Sequence, residues 1–223
     1  MAIDQMKEQA LADQIAHLEA NLARQLPADM LQGFQGAIQT LVNDGITAHA
    51  VDVGQKAPDF SLPDQIGDTV SLHSVLQRGP AVVLFYRGEW CLYCDLTLRA
   101  YQRILPSITA LGASLIAISP QTPDNTLTTV EKKELTFAVL SDVGNVVARK
   151  YGLVFVTPEA ARHPGISAGN GDESWELPMP ATFIVAQDGI IRLAFVDADW
   201  THRLEPAELL KALESVVANC LKE

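Results

Sequence analysis

Cysteine is scarce in this chain, with three in 223 residues. So few, and an odd number, exclude a disulfide scaffold. Basic runs are missing too. Lys and Arg number 16 against 27 Asp and Glu, for a net charge of −11. A nucleic-acid partner needs clustered cations, so that class is excluded. No window approaches the roughly 20 consecutive apolar residues of a membrane helix. The opening MAIDQMKEQALADQ lacks the apolar core of a secretory signal. These absences together predict a soluble, cytoplasmic protein. In a reducing cytosol two close cysteines indicate redox or metal chemistry, not a structural staple.

What is present is a globular composition, 48% apolar and 19% charged. The length suits one domain with an extension. Residues 1–50 are expected to form a helical N-terminal extension, and 51–223 the main domain. Ile3, Met6, Leu11, Ile15, Leu18, Leu22 and Leu26 recur mostly at spacings of three or four, one stripe of a helix. Pro27 interrupts it. Asp29 then helps start a second helix carrying Leu31, Phe34, Ile38, Leu41 and Val42, and Gly45 stops it. Such a hairpin must bury its stripe, either on the main domain or on a second subunit as a homodimer.

From residue 54 strands and helices alternate. Gly67-Asp68 predicts a small hairpin before residues 69–72. Ala81–Tyr86 is a continuous apolar run, as in a strand buried on both faces, and 113–119 is a second. The helix between them is expected to end near Pro106. Further helices are predicted over 123–134 and 143–151, the latter capped by Asp142, with a strand at 137–140. Residues 157–178 read as a long polar loop. Gln187-Asp188-Gly189 joins two apolar runs as a hairpin. A last helix runs from Pro206 to about Leu221. The order implies an α/β fold, a central mixed β-sheet flanked by helices.

The chemistry concentrates where the first buried strand passes into a helix, at Phe85-Tyr86-Arg87-Gly88-Glu89-Trp90-Cys91-Leu92-Tyr93-Cys94. A thiol at a helix N-terminus meets free backbone N–H groups and the positive end of the helix dipole, and both favour the nucleophilic thiolate. A C-x-x-C across the first turn can also store two electrons as a disulfide. Zinc would need a second half-site. Only Cys220 remains, and the histidines show no ligand spacing, so neither metal nor cofactor is expected. Cys220 reads as a packing residue. Glu89 and Asp95 read as exposed charges, Asp197 and Asp199 as part of a turn, and Trp175 as a residue able to cover the site.

Ala57-Pro58-Asp59-Phe60-Ser61-Leu62-Pro63, the strand Val82–Tyr86, the C-x-x-C, and Pro180-Ala181-Thr182-Phe183-Ile184-Val185 with Asp188-Gly189 resemble the alkyl hydroperoxide reductase/thiol-specific antioxidant superfamily. The likeness is to its peroxiredoxin-like branch with a thioredoxin-style C-x-x-C, over about residues 54–215. The resemblance implies a thioredoxin-like fold. It also implies a thiol peroxidase that reduces hydrogen peroxide or organic hydroperoxides and is regenerated by a thioredoxin-like reductant. In the Pro-x-x-x-Thr/Ser-x-x-Cys pattern of peroxiredoxins, Cys94 takes the attacking place. Cys91 then stands for the hydroxyl residue and Arg87 for the proline. The family's second arginine is missing before the strand at 181, leaving Arg87, Arg99, Arg162, Arg192 and Arg203 as substitutes. In thioredoxins the first cysteine attacks, which would be Cys91, and a cis-proline faces the pair, which would be Pro180. Trp90 and Arg87 complete the expected site. A disulfide oxidoreductase and a non-enzymatic redox sensor are the alternative readings.

Overall fold

A computed structural model of the chain describes residues 10–220. Ile3 and Met6 of the expected stripe lie outside the described residues, as does the side chain of Cys220, the last residue of the final helix.

The N-terminal hairpin consists of α1 (Leu11–Gln25) and α2 (Ala28–Asn43), separated at Pro27. Gly45, at φ 62°, takes the left-handed conformation that ends the second helix. β1 (Ser61–Pro63) and β2 (Thr69–Ser71) form the small antiparallel hairpin, and α3 (Leu72–Leu76) follows. The main sheet contains β3 (Ala81–Phe85), β4 (Ser114–Ser119), β5 (Ala138–Ser141), β8 (Ala181–Val185) and β9 (Ile191–Val196), in the order β5-β4-β3-β8-β9. β3, β4 and β5 are parallel, while β8 and β9 run antiparallel to their neighbours, so the sheet is mixed. α4 (Leu92–Ala110) crosses from β3 to β4, and α5 (Pro123–Lys133) from β4 to β5. α6 (Val146–Lys150), β6 (Val154–Val156), α7 (Pro164–Asn170) and β7 (Glu176–Pro178) follow, and α8 (Pro206–Cys220) closes the described chain.

Strand alternation divides the core. Ala81, Val83 and Phe85 point into one apolar layer with α3 and α6. Val82, Leu84 and Tyr86 point into the other with α4 and α8. The hairpin straddles this division: Leu11 of α1 joins the layer of α4, whereas Ala37 and Leu41 of α2 join the opposite layer. Both ends of the hairpin thus pack on the same chain, while Leu18, Leu22, Leu26 and Leu31 stay half-buried and Val42 is exposed. The first backbone N–H groups of α1, at Leu11 and Ala12, donate to the Glu205 carboxylate at 3.1 and 2.5 Å. A negative charge at that helix end satisfies orphan donors and opposes the helix dipole favourably.

The structure corrects four expectations. α4 does not stop at Pro106 but carries it inside and continues to Ala110. Beyond the proline, Ile108 is fully enclosed, and its burial offsets part of the cost of the lost backbone bond. The helix over 143–151 is broken, because Gly144 and Asn145 both take positive φ. The Asp142 carboxylate reaches past the break to cap Val147 and Ala148 at 2.9 to 3.0 Å. Residues 157–178 are no bare loop: a short 3-10 turn (159–161), α7 and β7 occupy them. The peptide bond before Pro180 is trans, not cis. Chain 176–185 runs on extended from β7 into β8, with Met179 donating to the Leu153 carbonyl at 2.8 Å. A trans proline at a strand start needs no reversal there.

Candidate active site

β3 ends at Phe85, and the chain turns through Arg87–Trp90 before α4 begins at Leu92, with Cys91 as the capping residue. Gly88 permits the turn. It has φ 151°, and a Cβ there would lie 2.5 Å from Nε1 of Trp90. The indole thus lies directly on the glycine backbone.

Cys91 and Cys94 are free thiols, 3% and 1% exposed, one turn apart at the helix start. Arg203 donates from Nη2 to Sγ of Cys94 at 3.5 Å. Arg203 is itself fixed to its own turn, through Nη1 to the carbonyls of Trp200 and His202. The Tyr101 hydroxyl of α4 donates to the Leu204 carbonyl at 3.2 Å and ties that turn to the cysteine helix. Burial alone would push the Cys94 thiol up. The Cys91 S–H, the guanidinium groups of Arg203 and Arg87, and the Arg87 backbone N–H outweigh it and hold Cys94 well below the ordinary thiol range. Cys91 moves the other way: burial and the adjacent Cys94 sulfur push its thiol up. The pair is thus poised as one thiolate, Cys94, accepting from one thiol, Cys91.

Arg87 is only 5% exposed and lies between two indoles, 4.9 Å from the ring centre of Trp90 and 4.5 Å from that of Trp200. Its Nε has no hydrogen-bond partner among the described residues. His163 meets Trp90 edge-on at 4.5 Å. Burial, and then the Arg87 charge, lower its pKa and favour the neutral ring.

Above this floor is a cleft of about 510 Å³. Its lower wall is Arg87, Trp90, Cys91, His163 and Trp200; its upper wall is Leu22, Leu26, Leu31, Phe34 and Ile38 of the hairpin. The structure therefore brings together Cys91, Cys94, Trp90 and Arg87 as expected. It leaves Pro180 at the start of β8, buried and off the cleft. Arg203 is selected from the five candidate arginines. Trp175 does not line the cleft; its ring lies 5.5 Å from the Arg162 guanidinium. Glu89 pairs with Lys132 at 3.0 Å, and Asp95 with Lys133 at 2.6 Å and Arg99 at 3.0 Å. Asp197 and Asp199 form the expected turn, with His202 held at 2.8 Å from Asp197. Trp200, His163 and the hairpin wall were not anticipated. Helical periodicity marked the hairpin stripe as apolar but carries no information about what it faces.

The profile of the AhpC/TSA family matches residues 53–194. Among curated proteins, chloroplastic peroxiredoxin Q of Populus jackii is 27% identical over 170 residues, spanning 74% of this chain and 70% of the relative. That of Sedum lineare is 26% identical over 170 residues, spanning 74% and 80%. Of solved structures, peroxidoxin BcpB from Mycobacterium tuberculosis superposes with a TM-score of 0.59 at 22% identity, over 75% of this chain and 97% of that one. Reduced 2-Cys peroxiredoxin of Plasmodium vivax gives 0.61 at 16% identity, over 78% and 100%. The structural likenesses carry the thioredoxin-like fold, and the match over 53–194 carries the family: this chain belongs to the AhpC/TSA family.

Proposed function

We propose that this protein is a thiol-dependent peroxidase in which Cys94 attacks the hydroperoxide and Cys91 resolves the product. The observation that carries the assignment is the Arg203 contact to the Cys94 sulfur, with the Cys91 thiol as a second donor. The Cys94 thiolate takes the terminal hydroperoxide oxygen. An S–O bond forms, the O–O bond breaks, and the leaving oxygen departs as an alcohol, or as water when the substrate is hydrogen peroxide. The Cys91 sulfur then displaces the sulfenic oxygen as water and an S–S bond forms. One proton for the two leaving oxygens comes from the Cys91 thiol and one from solvent. A dithiol reductant of thioredoxin type returns the pair to thiols by exchange. A reducing compartment such as the cytoplasm suits that last step.

A second reading has its own observation: Cys91 lines the cleft, while Cys94 does not. A disulfide oxidoreductase attacking through Cys91 would use that exposure. Mass spectrometry after one equivalent of peroxide separates the two. In the peroxidase, Cys91→Ser accumulates sulfenic acid at Cys94, and Cys94→Ser stays unoxidised. The opposite pattern rejects the assignment. A homodimer through the N-terminal helices would have to use their outer faces, where Met30 and Val42 are exposed.

A further inference from the structure

The cleft beside Cys91 holds an unsatisfied charge. Arg87 lines it and is 5% exposed, yet its guanidinium makes no hydrogen bond or ion pair among the described residues. A buried cation without a counter-ion is costly. The indoles of Trp90 and Trp200, centred 4.9 and 4.5 Å away, offset part of that cost. They cannot use its N–H donors, which lie in the guanidinium plane as a fork shaped for a carboxylate.

Facing Arg87 are Leu22, Leu26, Leu31, Phe34 and Ile38, all outside the family segment 53–194. The cleft volume, about 510 Å³, falls in the range of sites that enclose organic ligands, about 300–1,000 Å³. An apolar chain on these side chains and a carboxylate on Arg87 would satisfy both surfaces at once. Two carboxylates also line the cleft, and both are already compensated. Asp199 accepts from the amide and hydroxyl of Thr201 at 2.9 and 2.8 Å and lies 3.6 Å from His202. Glu19 is exposed to water.

We propose that the hairpin cleft binds amphipathic carboxylates of medium-chain fatty-acid type, with the carboxylate on Arg87 and the chain against α1 and α2. Seated there, the ligand covers Cys91, the thiol of the pair that lines the cleft, and shuts out small thiols that would reduce a Cys91–Cys94 disulfide. The ligand itself is not altered, and no peroxide takes part. Each methylene buried is worth about four-fold in affinity.

The test is titration of the full chain with decanoate, 1-decanol and decylamine, read by the fluorescence of Trp90 and Trp200 in the cleft wall. Decanoate is expected to saturate a single site. It should bind about 10- to 100-fold tighter than decanol, the worth of a hydrogen bond between charged groups, with decylamine no better than decanol. Arg87→Gln removes the advantage of decanoate and leaves decanol binding in place. Ala23→Phe, from an exposed position on the cleft wall, weakens both alike. Thermal midpoints identify a variant that fails to fold, and the comparison of the three ligands on the native chain then decides. With the disulfide formed by diamide, saturating decanoate is expected to slow its reduction by dithiothreitol several-fold. Equal affinities for decanoate and decanol, or an unchanged reduction rate at saturation, overturn the inference. Neither measurement reads peroxide turnover, so the peroxidase reading stands or falls separately.

Discussion

Arg203 and Cys94 are 109 positions apart in sequence, yet Nη2 of the arginine donates to Sγ of the cysteine at 3.5 Å. The arginine rides on the turn after β9, the cysteine on the first turn of α4. Their meeting places a fixed positive charge beside the sulfur at a helix N-terminus, where two electrostatic effects add.

Arg203→Gln removes the charge and keeps a donor. A hydrogen bond to a charged group is worth about 1.5–3 kcal/mol. The pH at which Cys94 alkylation reaches half its maximal rate is expected to rise by about one to two pH units, because the thiolate loses its charged donor. Iodoacetamide labelling across pH, followed by peptide mass spectrometry, reads this directly. An unchanged midpoint removes Arg203 from the site.

The thiol pair gives stability a defined pH dependence. Cys94 is held below the unfolded thiol value, about 8.5, and Cys91 above it. Below that value, down to the folded pKa of Cys94, the unfolded chain binds one more proton than the native one, so stability rises with pH. Above it the unfolded chain loses both protons while native Cys91 keeps its own, so stability falls. The pair's contribution therefore peaks near pH 8.5. The difference in denaturation midpoint between the reduced native chain and the Cys91→Ser/Cys94→Ser variant, followed across pH, measures the curve. A flat difference rejects the thiolate–thiol pairing.

Glu205→Ala leaves the N-terminal amides of α1 without their carboxylate. The expected cost is about 1 kcal/mol, as for loss of a helix cap. It should be confined to the hairpin, because α1 is tied there at its very start. Hydrogen exchange is expected to accelerate in 11–25 while the central sheet keeps its protection. Uniform acceleration would show the hairpin to be an inseparable part of the core.

Gly88→Ala sets a methyl group against the Trp90 indole in a backbone region that side chains avoid. A strain of about 1–3 kcal/mol is expected, with displacement of Trp90 and, through it, of Arg87. A shift in tryptophan fluorescence together with slower peroxide turnover is the expected result. An unaltered spectrum would mean the loop absorbs the methyl group elsewhere.

Much of the frame was legible in the chain itself. The run Ala81–Tyr86 dictates a strand buried on both faces, because no position in it can face water without exposing an apolar side chain. Asp188-Gly189 supplies the turn between β8 and β9, since glycine accepts φ 82°. Local rules erred where packing overrode them. Pro106 lies inside α4, which runs on to bury Ile108; the cis bond at Pro180 was implied by the thioredoxin resemblance, and the bond there is trans.

The sequence by itself determined the five strands of the main sheet, the long helices, and the pair of thiols at a helix start. These follow from the spacing of neighbouring residues and the chemistry each carries. Only the tertiary structure decided that Arg203, and not Arg99, Arg162 or Arg192, reaches Cys94, and that the hairpin stripe shares a cleft with Arg87 and Cys91. Both depend on how distant segments pack, and periodicity within a helix defines an apolar face without naming its partner.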